Sequence, residues 1–157
     1  MIVVVIPAYN EERTIAKVVL QAKRHVDLVM VIDDGSVDMT GDIARGLGAK
    51  VLRNEVNLGK GEALRRVFKE TLTLKPEVTV ALDADGQHDP DEIPKLVKPI
   101  VDGEADVVVG SRYVEGASTD APTYRKMGLR VIEGLGRSAI KVPIRDTQSG
   151  FRAYSLN

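Results

Sequence analysis

The sequence predicts an α/β fold: one domain built on a mostly parallel sheet sandwiched between helices. Three observations predict it. Short apolar runs alternate with amphipathic stretches from residue 2 onward, the pattern of repeated βαβ units. The runs, such as Ile2-Val3-Val4-Val5-Ile6 and Val78-Thr79-Val80-Ala81-Leu82, are rich in β-branched residues and free of charge, as strands covered on both faces require. Most of them empty into polar or glycine-containing loops, which parallel strands would gather along one edge of the sheet. The 157 residues suit a single core. A chain of this size buries about two-thirds of its unfolded surface, so neither disulfide nor structural metal is needed for folding.

Residues 2–6 are predicted as the first strand, closed by Pro7. A helix follows over 11–24, with Ile15, Val18, Val19 and Ala22 on one face. Leu28 to Ile32 is the second strand and enters Asp33-Asp34-Gly35-Ser36. The next helix runs from Asp38 to Leu47, with Ile43, Ala44 and Leu47 inward and Gly48 as terminator. Lys50 to Arg53 is a short third strand. Gly59 to Leu72 is a helix that buries Ala63, Leu64, Val67 and Phe68 and stops before Pro76. The strand at 78–82 delivers Asp83-Ala84-Asp85-Gly86-Gln87-His88. Asp89-Pro90-Asp91-Glu92 then opens a helix with acidic residues in its first turn, which suits the helix dipole. Ile93, Leu96, Val97 and Ile100 form its inner side. Asp106 to Val109 is another strand, leading into Gly110-Ser111-Arg112-Tyr113. Residues 114–122 read as a loop, 123–140 as a glycine-interrupted helix, and 151–155 as a last short strand.

Composition narrows the function classes. The formal net charge of −1 leaves no electrostatic footprint for nucleic acid. Cysteine is absent, which excludes a thiol nucleophile and a zinc-thiolate site. No apolar run approaches the roughly 20 residues that span a bilayer. The expectation is a soluble, cytoplasmic domain, peripheral at most to the membrane face.

The strand ends carry the chemistry. Asp83 and Asp85 place two hard oxygen ligands after a buried strand, a set suited to Mg²⁺ or Mn²⁺ with substrate phosphates completing the shell. Asp-x-Asp alone is equally compatible with solvated loop carboxylates; its company gives it weight. Pro7-Ala8-Tyr9-Asn10-Glu11, Asp33-Asp34-Gly35-Ser36 and Gly110-Ser111-Arg112 lie on the same predicted edge. Tyr9 is suited to lie against a base or to roof the core. Asp34, an acceptor only, either reads a base N–H or ribose hydroxyl or caps the helix that follows. Asn57-Leu58-Gly59-Lys60-Gly61 lacks the spacing of a P-loop and reads as flexible backbone near a base or diphosphate. Arg112 offers a forked cation to phosphate. The Gly-x-Gly-x-Arg loop of a sugar nucleotidyltransferase is missing after the first strand. A dehalogenase-like phosphatase would carry its Asp-x-Asp after the first strand rather than the fourth.

These segments, with Asp146-Thr147-Gln148-Ser149-Gly150-Phe151-Arg152, occur in an order that resembles the nucleotide-diphospho-sugar glycosyltransferases of family 2, particularly dolichyl-phosphate mannose or glucose synthases. The resemblance covers nearly the whole chain and implies a GT-A-like (Rossmann-like) fold whose C-terminal acceptor part is short or absent. It implies donor contacts from Pro7, Tyr9, Glu11, Ile32 through its backbone, Asp34, Asp83, Ala84, Asp85 and Arg112. It also implies metal ligation by Asp83, Asp85 and Gln87, with Mg²⁺ or Mn²⁺ as cofactor. Arg125 and Arg152 match positions that hold an acceptor phosphate, and Asp146 is the candidate base should the acceptor be a hydroxyl.

The implied reaction is inverting transfer of a hexose from GDP-mannose or UDP-glucose to a polyprenyl or dolichyl phosphate at a membrane surface. The catalytic set is then Asp85, Asp146, Arg125 and Arg152. A membrane-anchoring partner protein or a homodimer is a further expectation. The rival reading is a nucleotide-sugar-binding or regulatory module without catalysis.

Overall fold

The computed structural model describes residues 1–110 and 149–155. Within them a six-stranded sheet forms from β1 (Ile2–Ala8), β2 (Leu28–Asp33), β3 (Lys50–Arg53), β4 (Val78–Ala81), β5 (Val107–Val109) and β6 (Arg152–Ser155). The helices are α1 (Ile15–Ala22), α2 (Thr40–Gly46), α3 (Lys60–Leu72) and α4 (Ile93–Val101), the last entered through a 3₁₀ turn at Pro90–Glu92.

Strand order is β3-β2-β1-β4-β6-β5. β1 pairs in parallel with β2 and β4, and β2 in parallel with β3. β6 runs antiparallel to both its neighbours, β4 and β5. The chain thus winds outward from β1 through β2 to β3, then crosses to build the other half from β4. The strand order reverses between β1 and β4, where α/β folds open a crevice beyond the strand ends.

Alternation along β1 sorts the core into two layers. Val4, Ile6 and Ala8 face a cluster with Ile15, Val18, Val19 and Ala22 of α1, Ala44 of α2, and Ile93, Leu96, Val97 and Ile100 of α4. Val3 and Val5 face the opposite cluster with Met30, Ile32 and the α3 residues Ala63 and Val67. Among the described residues, α3 is the helix that covers this second face. Its Leu64 and Phe68, expected to be buried, are only partly so, and Phe68 meets Tyr154 of β6 edge-on at 5.4 Å.

Two helices start later than periodicity predicts. Residues 12–14 form a turn because the N–H groups of Asn10, Glu11 and Glu12 are held by Ser36 Oγ (3.0 Å), Thr40 Oγ1 (2.7 Å) and Asp38 Oδ2 (3.2 Å). Those bonds tie the loop after β1 to the loop after β2. Asp38 accepts from the Thr40 N–H at 3.0 Å, and α2 begins at Thr40. Among the described residues no helix is long and apolar enough to cross a membrane.

Candidate functional site

A cleft of about 330 Å³ opens at the reversal between β1 and β4, lined by Pro7, Ala8, Tyr9, Glu11, Asp34, Asn57, Lys60, Ala63, Asp83, Ala84 and Asp85. Seven predicted site residues therefore converge: Pro7, Tyr9, Glu11, Asp34, Asp83, Ala84 and Asp85. The parallel strands explain the convergence, since β1, β2 and β4 end on the same edge. Tyr9 is 45% exposed and stands at the cleft wall, which removes the reading of a residue roofing the core. Glu11 fixes the turn after β1 twice: its carbonyl accepts from Thr14 and Ile15, and its carboxylate accepts from Thr14 Oγ1 at 2.9 Å.

Asp34 does not cap α2. It is 3% exposed, and its carboxylate gathers the segment that precedes α3. Oδ1 accepts from Asn54 Nδ2 at 2.6 Å and from the Leu58 N–H at 3.0 Å, and Oδ2 accepts from the Gly59 N–H at 2.8 Å. Burial alone would raise the pKa of this carboxyl; the donors of Leu58, Asn54 and Gly59 outweigh burial and hold it below the ordinary carboxylate value. A carboxylate has about four lone-pair sites, so Asp34 keeps roughly one for a ligand. Its neighbour Asp33 is wholly buried, accepts from the Ser36 N–H at 2.9 Å, and faces the Arg53 guanidinium at 3.4 Å.

Gly35 lets the two loops touch. Its φ is +77°, and a Cβ there would lie 2.6 Å from the Val56 carbonyl carbon. The loop after β2 and the loop before α3 thus pack backbone to backbone, which brings Asn57 and Lys60 to the cleft.

On the far wall Asp83 and Asp85 stand either side of Ala84. Asp85 Oδ1 accepts from the Gln87 N–H at 2.9 Å, closing a turn around Gly86 (φ +73°). Asp83 Oδ1 holds the Lys60 ammonium at 2.6 Å. The segment 149–151 lies directly behind: a Cβ on Gly150 would overlap the Asp83 carboxylate. Ser149 Oγ donates to the Gly110 carbonyl at 2.6 Å and accepts from the Phe151 N–H at 3.2 Å. The buried Phe151 ring also lies 5.3 Å from His88, which steadies the far end of the same turn.

Among the described residues no three His, Cys, Asp or Glu side chains converge on a point. The donor set nevertheless fits a Mg²⁺-type ion, which takes one or two carboxylates and leaves its other positions to water and substrate phosphates. Asp83 and Asp85 supply such a pair, and Asp83 already attracts a cation.

The remaining expectations fall elsewhere. Ile32 is buried inside β2 and does not line the cleft; its backbone is in register with Pro7. Gln87 lies beyond the cleft lining on the turn that Asp85 closes. Arg152 begins β6 opposite Ala81, two residues before Asp83, and its Nε donates to the Ser149 carbonyl at 2.9 Å. Arg112, Arg125 and Asp146 lie outside the described residues. Lys60 was missed as a site residue. The signal available was its place between two glycines in Asn57-Leu58-Gly59-Lys60-Gly61, directly before an amphipathic helix.

The profile described as Glycosyl transferase family 2 matches residues 3–157. The UDP-N-acetylglucosamine–dolichyl-phosphate N-acetylglucosaminyltransferase of Methanococcus voltae is 35% identical over 179 residues, covering 99% of this chain and 69% of the relative. The dolichol-phosphate mannosyltransferase of Pyrococcus furiosus is 37% identical over 163 residues, covering 96% of this chain and 45% of the relative. Among solved structures, glucosyl-3-phosphoglycerate synthase of Mycobacterium tuberculosis, in complex with Mn²⁺, UDP-glucose and phosphoglyceric acid, superimposes with a TM-score of 0.75 at 29% identity. That match covers 99% of this chain and 56% of the synthase. The chain thus spans between 45% and 69% of the length of these three proteins.

Proposed function

The chain belongs to glycosyl transferase family 2, and on that premise we propose that it binds a nucleotide-diphospho-sugar with a divalent cation and serves inverting transfer of the sugar to a polyprenyl phosphate. The observation that carries the reading is the cleft in which Pro7, Tyr9, Glu11, Asp34, Lys60, Asp83 and Asp85 meet at the reversal of the sheet. Relatives named as dolichyl-phosphate transferases support the acceptor class, and the Mn²⁺ and UDP-glucose complex of the structural neighbour supports the donor and metal.

We divide the labour as follows. Tyr9 offers a ring face at the wall for the base. Glu11 and the remaining acceptor position of Asp34 suit ribose hydroxyls or a base N–H. Asp83 and Asp85 would hold Mg²⁺ or Mn²⁺, which when bound supplies a counter-charge for the diphosphate leaving group. Lys60 places a further cation on that wall. An acceptor phosphate is already anionic at neutral pH, so it needs cations to orient it and no protein base. We assign that electrostatic work to Arg125 and Arg152, and give Arg112 to the donor diphosphate.

Calorimetric titration of GDP-mannose and UDP-glucose, each with and without Mn²⁺, tests the donor assignment. One of them is expected to bind in a metal-enhanced manner. Indifference to every nucleotide sugar would remove the proposal. Transfer to a short polyprenyl phosphate tests the acceptor, and donor binding with no turnover would leave a binding module.

A further inference from the structure

We propose that Lys60 is a built-in counter-ion that competes with the divalent cation for Asp83, so that metal alone binds weakly and an entering diphosphate draws Lys60 away. This inference rests on the donor-site reading and adds a residue and an order of events to it.

The geometry is specific. Lys60 Nζ lies 2.6 Å from Asp83 Oδ1, inside the cleft that both residues line. Asp83 is the less exposed partner, at 21% against 54% for Lys60, so the lysine reaches from the solvent side across to the opposite wall. Its starting point is fixed rather than loose. Lys60 is the first residue of α3, and the two N–H groups just before it, on Leu58 and Gly59, are both held by Asp34. The chain enters the helix through Gly59 at φ +88°.

The helix itself makes the pair unstable toward exchange. A cation in the first turn of a helix opposes the dipole, whereas an anion there is favoured. Lys60 is therefore held at the start of a 13-residue helix by its carboxylate partner. A diphosphate arriving at that helix end would satisfy both the N-terminus and the ammonium. Asp83 would then be left with an uncompensated charge facing the cleft, which is the condition that favours a divalent ion. Nucleotide and metal accordingly favour each other, and by linkage the coupling is the same in either order.

Because a nucleotide also ligates metal directly, cooperativity alone does not identify the lysine. The test therefore reads metal binding without nucleotide. Free Mn²⁺ is followed by its EPR signal in titrations of wild type, Lys60→Met and Lys60→Arg, with melting curves to verify folding. Removing a competing ion pair of this exposure is expected to tighten Mn²⁺ binding by Lys60→Met about fivefold, with Lys60→Arg staying near wild type. Metal-free binding of GDP or UDP should move the other way, weakening in Lys60→Met by roughly tenfold, the loss of one charge-assisted hydrogen bond. Unchanged or weaker Mn²⁺ binding by a folded Lys60→Met protein overturns the proposal, as does unchanged nucleotide binding. A wild type that binds nucleotide and Mn²⁺ while the variant behaves identically sinks this inference alone. A wild type that binds neither sinks the donor-site reading with it.

Discussion

Asp85 and Asp83 differ in what their loss should do. Among the described residues Asp85 is tied by one bond, to the Gln87 N–H, so Asp85→Ala is expected to fold normally and lose transfer activity by on the order of 10²–10³, the usual effect of removing one electrostatic contact to a developing charge. A kinetic assay beside a melting curve separates the two effects. Gly150 offers a complementary probe from behind. Gly150→Ala places a methyl group on the Asp83 carboxylate, so it should displace that side chain while leaving every cleft-lining residue chemically unchanged. Weakened Mn²⁺ binding is expected, with overpacking costing about 1–3 kcal/mol; a variant with wild-type metal affinity would show that Asp83 does not need its present position. Asp34 is a residue whose charge matters to stability. Its pKa is lowered on folding, so its contribution is fully present above the unfolded carboxylate value of about 3.9 and disappears as the pH falls through the lower folded value. Asp34→Asn should therefore be less stable than wild type at pH 7, by about 1–3 kcal/mol, with the gap closing below about pH 4. Urea melts across that range would show it, and a gap independent of pH would contradict it.

At the scale of elements, α3 is the decisive piece. It covers one face of the sheet through Ala63 and Val67 and delivers Lys60 to the cleft from its first turn. Val67→Ala should cost about 2 kcal/mol and lower the melting temperature by about 4–8 °C, with donor affinity reduced less than stability. Unchanged stability of Val67→Ala would mean that Val67 does not anchor α3 to the sheet. Most elements were legible in the sequence because burial on both faces leaves near-continuous apolar runs, as at Val3-Val4-Val5 and Val78-Thr79-Val80-Ala81. The late starts of α1 and α2 were not legible, since they depend on side chains of Ser36, Asp38 and Thr40 bonding the other loop's backbone. Site legibility divides the same way. Carboxylates and an aromatic at strand ends announce themselves, whereas Lys60 and Gly150 owe their positions beside Asp83 to contacts between distant segments. The role of Asp34 was half legible: an acceptor after a strand is visible, but not that Asn54, Leu58 and Gly59 would be its donors.

For the molecule as a whole, a donor site formed at the reversal of the sheet should couple ligand to global stability. Saturation at 100-fold above Kd adds about 2.7 kcal/mol, so the favoured nucleotide sugar with Mn²⁺ should raise the melting temperature by about 5–10 °C, and EDTA should remove most of that shift. A shift unaffected by chelation would assign donor binding to the nucleotide contacts alone.

β6 carries a consequence for biogenesis. It is the strand that seals β4, yet β4 is complete at Ala81 and β6 starts only at Arg152. A nascent chain leaving the ribosome therefore carries β4 with one row of amide and carbonyl groups open to any other extended peptide until the late strand arrives. Chains halted before Arg152 are expected to self-associate, detectable by sedimentation, and to be rescued by a supplied peptide spanning 149–155; monomeric halted chains would show that the edge is guarded by some other means.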